Sequence, residues 1–332
     1  MCGMSPVPGS FTAVTGSARQ LAPLDGRVAV VTGANSGIGW HVSRELARSG
    51  ARVVLACRDL ARGQQAADRI VADCPDADVR VEELDLASLD SVRQFAAGFV
   101  SAPSAGAGTV GEPVLDLLIN NAGVMAPPRR AFTREGFELQ FGTNHLGHFV
   151  LTGMLLPALL RSPAPRVVTV SSIAHHYGGA DVLAANASGR YRPRHAYGNS
   201  KLANLLFAIG LQHRTSARGL PLTSTAAHPG VAYTGLFSDP QGIGKFGPVR
   251  WVAPPFVRMA SQSATAGARP VLYAATEAAP GSFTGPQRMG ESRGPIGPAR
   301  MSALARDEAL ARHLWEVSED LTGFRYPWPA AG

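Results

Sequence analysis

The sequence predicts an α/β fold: one parallel, doubly wound sheet with helices on both faces. Two observations carry this. Strand-like runs near 28–32, 52–57, 79–84, 115–119, 166–171 and 222–227 alternate with helical patterns, the rhythm of strands joined by helical crossovers. A cluster of glycines sits between the first run and the first helical pattern. With 332 residues and 45% apolar content, the chain can bury one large core, and a single domain over 25–323 is expected.

The elements follow in order. Val28-Ala-Val-Val-Thr32 is small and β-branched, as a buried strand requires. Gly33, Asn35, Ser36, Gly37, Ile38 and Gly39 form the turn that follows. Glycines there let a backbone approach a pyrophosphate, and the new helix presents free N–H groups and the positive end of its dipole. The spacing is Gly-x-x-x-Gly-x-Gly, not the Gly-x-Gly-x-x-Gly of the commonest dinucleotide fingerprint. Ile38, Val42 and Leu46 lie on one helical face, which stops at Gly50. The second strand at 52–57 completes a βαβ unit, and with it a Rossmann-type sheet. Asp59 is placed to cap the next helix. Near the end, 307–322 reads as one amphipathic helix with Leu310, Leu314, Val317 and Leu321 on one face.

Composition excludes several classes. A net charge of +7 invites a nucleic-acid reading, but the arginines are dispersed and no nucleic-acid-binding motif is present. There is no run of 18 apolar residues, hence no membrane span. Residues 1–24 read as a flexible leader without the apolar stretch of a signal peptide. Cys2, Cys57 and Cys74 have no metal or redox spacing, which fits a reducing cytoplasm. His145 and His148, and the adjacent His175 and His176, have no acid at ligand spacing, so no metal is expected.

The chain has two lysines, Lys201 and Lys245, against 29 arginines. A lysine kept four positions after Tyr197 points to chemistry that a planar guanidinium does not perform. On a helix the i and i+4 positions share a face, so phenol and ammonium serve one pocket. A charge about 4 Å away contributes roughly 4 kcal/mol at an effective dielectric near 20. That is enough to bring a phenol from near ~10 to neutrality.

With these motifs in place, the chain resembles the short-chain dehydrogenase/reductase family over roughly 25–235, and within it the retinol-dehydrogenase-like branch. Asn120-Asn121-Ala122-Gly123, Asn144 in Thr-Asn-His-Leu-Gly, Ser171-Ser172, Tyr197-x-x-x-Lys201 and Pro229-Gly230 with Thr234 match its motifs in order. So does the long spacer from Ser172 to Tyr197. The resemblance implies hydride transfer between a nicotinamide and a carbonyl or alcohol carbon. Tyr197 would be general acid and base and Ser172 would orient the reacting oxygen. Lys201 would hold the ribose, and Asn144 a water that passes protons. Asp85 and Leu86 would lie at the adenine, Asn121, Ala122 and Gly123 beside the cofactor, and Pro229, Gly230 and Thr234 over the nicotinamide. The membrane anchor of many retinol dehydrogenases has no counterpart, so a cytoplasmic protein is expected.

Cofactor choice turns on the end of the second strand. An acid there binds the ribose hydroxyls of NAD, and an arginine accommodates the phosphate of NADP. Ala56-Cys57-Arg58 offers no acid, which favours NADP(H), with NAD(H) as the alternative. The aromatic and proline-rich segment 236–263 reads equally as a wall for a lipophilic small-molecule substrate or as a packed helix. Arg190, Arg192 and Arg194 read as a solvated loop, and the apolar run 202–211 is compatible with a homo-oligomer. Two competing functions stand beside carbonyl reduction: reduction of a carbon–carbon double bond, as in the protochlorophyllide oxidoreductases, and a dinucleotide sensor without turnover.

Overall fold

The computed structural model describes residues 21–101, 112–187, 189–231 and 263–329. Thr234, the segment 236–263 except its last residue, most of the expected leader and the last residues of the tail lie outside these. Strands β1 (Val28–Thr32), β2 (Arg52–Cys57), β3 (Val79–Glu83), β4 (Leu117–Asn120), β5 (Arg166–Val170), β6 (Thr223–Ala227), β7 (Phe283–Arg288) and β8 (Arg293–Pro298) form one sheet. Its order is β3-β2-β1-β4-β5-β6-β7-β8. All neighbours are parallel except the last pair, an antiparallel hairpin. The six predicted strands are present, the fourth starting two residues later than expected, and β7 and β8 are additional.

Alternation along each strand separates two cores. Val30, Val54, Leu118 and Val167 face one side with Phe149, Phe207 and Trp315. Ala29, Val31, Val53, Leu55, Ile119 and Val168 face the other. Helices α1 (Gly37–Arg48), α2 (Leu60–Asp73) and α3 (Leu89–Ser101) make the first crossovers. Asp59 caps α2 by accepting the Arg62 N–H at 3.0 Å. A short helical turn, Leu139–Phe141, runs through a π-helical segment, Gly142–Leu146, into α4 (Gly147–Leu160). Helix α4 is apolar on every side and buried almost throughout, as a helix between sheet and outer layer must be. Helix α5 (Pro193–Ser216) begins with proline in its first turn, where a missing N–H costs nothing. Helices α6 (Ala264–Thr276) and α7 (Glu308–Thr322) complete the layers. Helix α7 is the predicted terminal helix, capped by Asp307 and stopped by Gly323 at φ 63°. Among the described residues no helix is long and apolar enough to cross a membrane.

Candidate active site

The strand order reverses between β1 and β4, and there the carboxyl ends of the strands open into a cleft of about 910 Å³. This is the position at which open α/β sheets bind ligands. The glycine turn forms one end of it. Gly37 has φ 56°, a left-handed conformation that glycine adopts without strain. A Cβ on Gly39 would run into the Gly33 carbonyl and the Asn121 amide, so the backbone is packed as closely as a pyrophosphate cradle needs. Thr32 and Asn121 lock this floor. The Thr32 hydroxyl accepts the Asn121 and Ala122 N–H groups, each at 2.9 Å, and Asn121 Nδ2 donates to the Thr32 carbonyl at 2.8 Å.

Asn35, Ser36, Ile38, Arg58, Asp85, Leu86, Ala122 and Gly123 all line the same cleft, as do Pro229 and Gly230 at its far end. Asp85 also accepts the Ala87 N–H at 3.0 Å, so its turn-capping role and its place in the cleft coexist. Arg62, in the first turn of α2, lines the cleft too and was not singled out from the sequence.

At the other end stand Tyr197, Ser172 and Lys201. The Tyr197 phenol is hydrogen-bonded to Ser172, and the Lys201 ammonium lies 5.7 Å from the Tyr197 ring centre. Lys201 Nζ donates to the Val170 carbonyl at 3.1 Å, beside the Asn204 amide on the same acceptor. Burial dominates both titrations. It pushes Tyr197 up to about 12, against the Ser172 bond that lowers it, and Lys201 down to about 8. The expectation that the ammonium alone brings the phenol to neutrality is therefore corrected, because burial disfavours the phenolate more than the Ser172 hydroxyl favours it. At neutral pH the pair is a protonated phenol beside a charged amine.

Asn144 lies in the π-helical segment, fully buried, one layer behind the cleft wall. Its Oδ1 accepts the Val124 N–H at 2.8 Å, and its Nδ2 donates to the Val124 carbonyl and the Ser200 hydroxyl. Its own carbonyl takes His148 Nδ1 at 2.9 Å. The side chain therefore holds the loop after β4 to α5. His145 and His148 diverge, His145 Nε2 to Ser318 at 2.8 Å and His148 Nε2 to Thr32 at 2.9 Å. Among the described residues no three ligand-type side chains converge on a metal site.

Beyond the phenol the cleft is walled by Met125, Ala126, Ile173, Ala174, Tyr177 and Val231. Arg194 joins them, and the solvated-loop expectation is corrected in part: α5 already starts at Pro193, which places Arg194 on its first turn, three residues before Tyr197.

A cleft with a glycine turn and a helix N-terminus at one end and a buried, protonated phenol at the other is organised as in a dinucleotide-dependent oxidoreductase. The short chain dehydrogenase model matches residues 27–240. The chain is 40% identical over 305 residues to retinol dehydrogenase 12 of Mus musculus, covering 91% of this chain and 88% of that one. It is 42% identical over 315 residues to mouse polyprenol dehydrogenase, covering 91% and 86%. An uncharacterized protein from Mycobacterium Paratuberculosis has a solved structure with TM-score 0.74 at 42% identity, covering 93% of this chain and 97% of that one. The chain belongs to the short-chain dehydrogenase/reductase family, in its retinol-dehydrogenase-like branch. It is an NAD(P)-dependent oxidoreductase acting between carbonyl and alcohol on a small molecule.

Proposed function

We propose that this enzyme uses NADP(H) to interconvert a carbonyl and an alcohol on a largely apolar substrate, with Tyr197 as general acid and base. The carrying observation is the Tyr197 phenol, bonded to Ser172 and beside Lys201, at the apolar end of a cleft whose opposite end holds Arg58 and Arg62. Those arginines and the absence of an acid at the end of β2, where Cys57 stands, support a 2′-phosphate on the adenine ribose. The glycine cradle and the Asn121–Gly123 wall fit the rest of a dinucleotide.

The bound dinucleotide supplies or takes up the hydride. In reduction, Tyr197 holds the proton that the carbonyl oxygen receives as its carbon gains the hydride. A phenol with a pKa of about 12 is fully protonated for that step at neutral pH. Ser172 orients the same oxygen through its hydroxyl. Lys201 keeps a positive charge near the phenolate that remains. Met125, Ile173, Ala174 and Val231 exclude water from the apolar side of the pocket.

Replacing Tyr197 by Phe removes one oxygen atom and the proton it carries. Reductive turnover of aldehydes and ketones with NADPH is expected to fall about 10²- to 10⁴-fold, while NADPH binding, followed by its fluorescence, is retained. Undiminished turnover in Tyr197→Phe would refute the assignment.

A further inference from the structure

The hairpin of β7 and β8 lies beyond the residues that the family model matches. Its turn is strained: Met289, Gly290 and Glu291 have consecutive positive φ values of 52°, 63° and 64°. Two of the three carry side chains that disfavour this conformation, and such strain persists only where surrounding structure enforces it. The turn is tied by Ser292, whose hydroxyl donates to the Met289 carbonyl at 2.8 Å.

The strained turn delivers two groups to the chain segment after β6. The Ser292 carbonyl accepts the Val231 N–H at 3.1 Å. The carboxylate of Glu291, buried, reaches the fully buried ring of His228, with Oε2 3.3 Å from Nε2, close though poorly aligned for a hydrogen bond. His228 Nδ1 accepts the Gly230 N–H at 3.2 Å. Nδ1 being an acceptor, the ring proton is on Nε2 and faces the carboxylate. Glu291 is held from behind by the Arg300 N–H at 2.9 Å and the Arg300 guanidinium at 3.3 Å. Burial works against this carboxylate, yet His228 and Arg300 hold its pKa below the ordinary value. Across the sheet, a Cβ on Gly285 would run into the His228 ring, so the glycine in β7 gives the imidazole its seat.

We propose that Glu291 and His228 form a latch through which the β7–β8 turn fixes Pro229, Gly230 and Val231 at the reacting end of the cleft. Both are positioning residues for the nicotinamide half of the cofactor. The inference rests on the proposed reading of the cleft as an NADP(H) site. It goes beyond that reading by assigning control of one half of the ligand to a hairpin outside the matched region.

The test compares two ligands on the full-length enzyme. NADPH spans the whole cleft, whereas 2′,5′-ADP fills only the arginine end. Glu291→Ala is expected to weaken NADPH binding and raise its KM about tenfold, with 2′,5′-ADP affinity unchanged. Gly285→Ala, which displaces the ring from the other side, should give the same split. Glu291→Gln keeps an acceptor for the Arg300 N–H and should recover part of the loss. If Glu291→Ala folds poorly by thermal denaturation, Glu291→Gln decides alone by whether it separates the two ligands. Equal losses for both ligands, or none for either, overturn the latch and leave the hairpin as an edge of the sheet. Wild-type enzyme that binds 2′,5′-ADP and NADPH equally weakly would instead sink the cofactor reading, and the latch with it.

Discussion

Lys201 and Tyr197 are perturbed by burial in opposite senses, and the pH dependence expected of the proposed reaction follows from that. With Tyr197 pushed up to about 12 and Lys201 down to about 8, the site at pH 7 holds a phenolic proton and a positive charge. Reduction consumes the proton, so its rate should be flat through neutrality. Above about pH 8, Lys201 loses its charge and the phenolate left after proton transfer is no longer stabilised, so reduction should decline. Alcohol oxidation needs the phenolate at the start and should instead rise with pH. Initial rates in both directions from pH 6 to 10 check this. A reductive rate still level at pH 9.5 would show that the ammonium does not take part.

At the level of elements, the proposed preference for NADP(H) rests on the loop from β2 into α2. Arg58 lies just after the strand and Arg62 in the first turns of α2, both on the cleft, while Asp59 is spent on the Arg62 N–H. A charge-assisted hydrogen bond to a phosphate is worth about 1.5–3 kcal/mol. Arg58→Ala and Arg62→Ala should therefore each lower kcat/KM for NADPH roughly ten- to a hundredfold, with little change for NADH. Equal losses with both cofactors would mean that the arginines serve the fold rather than the phosphate. This loop was half legible. Arg58 stands where a strand-end residue is expected, whereas Arg62 lies inside a helix and becomes visible only when the helix is docked. The same contrast holds along the sheet. Strands β1, β2, β4 and β5 are largely apolar runs, because a parallel strand buried on both faces admits little else, whereas the edge strand β3 reads Val-Arg-Val-Glu-Glu and is only half-buried. Strands β7 and β8 read Phe-Thr-Gly-Pro-Gln-Arg and Arg-Gly-Pro-Ile-Gly-Pro. Proline and glycine argue against a strand except at an edge; β8 is the edge of the sheet, and β7 lies just inside it, with its Pro286 beyond the two residues paired to β6. The π-helical segment at Asn144 was not legible either, since its register is set by packing. Gly142 fits against Thr133, and Gly147 packs closely on the Leu86 carbonyl.

Across the whole molecule, the interior between α4, α5 and α7 is built around neutral imidazoles. His145 sits among Phe141, Phe149 and Phe207. Ser318 donates its hydroxyl to the Leu314 carbonyl at 2.6 Å, so His145 Nε2 must carry the proton that Ser318 accepts. Nδ1 is then left without a partner among the described residues. His148 holds Asn144 and Thr32 together, and through Thr32 the floor of the cleft. Burial pushes His145 down to about 3, with His148 adding to the effect. It pushes His148 down to about 4, opposed by the Asn144 carbonyl and aided by Lys201. In the unfolded chain both titrate near 6.5. Below that pH the unfolded state binds protons that the folded state refuses, so stability is lost as pH falls from about 6.5 toward 4. Each histidine contributes up to about 1.4 kcal/mol per pH unit over that window. The urea midpoint should therefore drop between pH 7.5 and 5.5. His145→Gln and His148→Gln should flatten that dependence, although each costs some stability at pH 7.5. A pH slope that both variants leave unchanged would show that the acid sensitivity resides elsewhere, as in His175, which burial also pushes down to about 4, and that these two imidazoles do not link the pH of the medium to the integrity of the cleft.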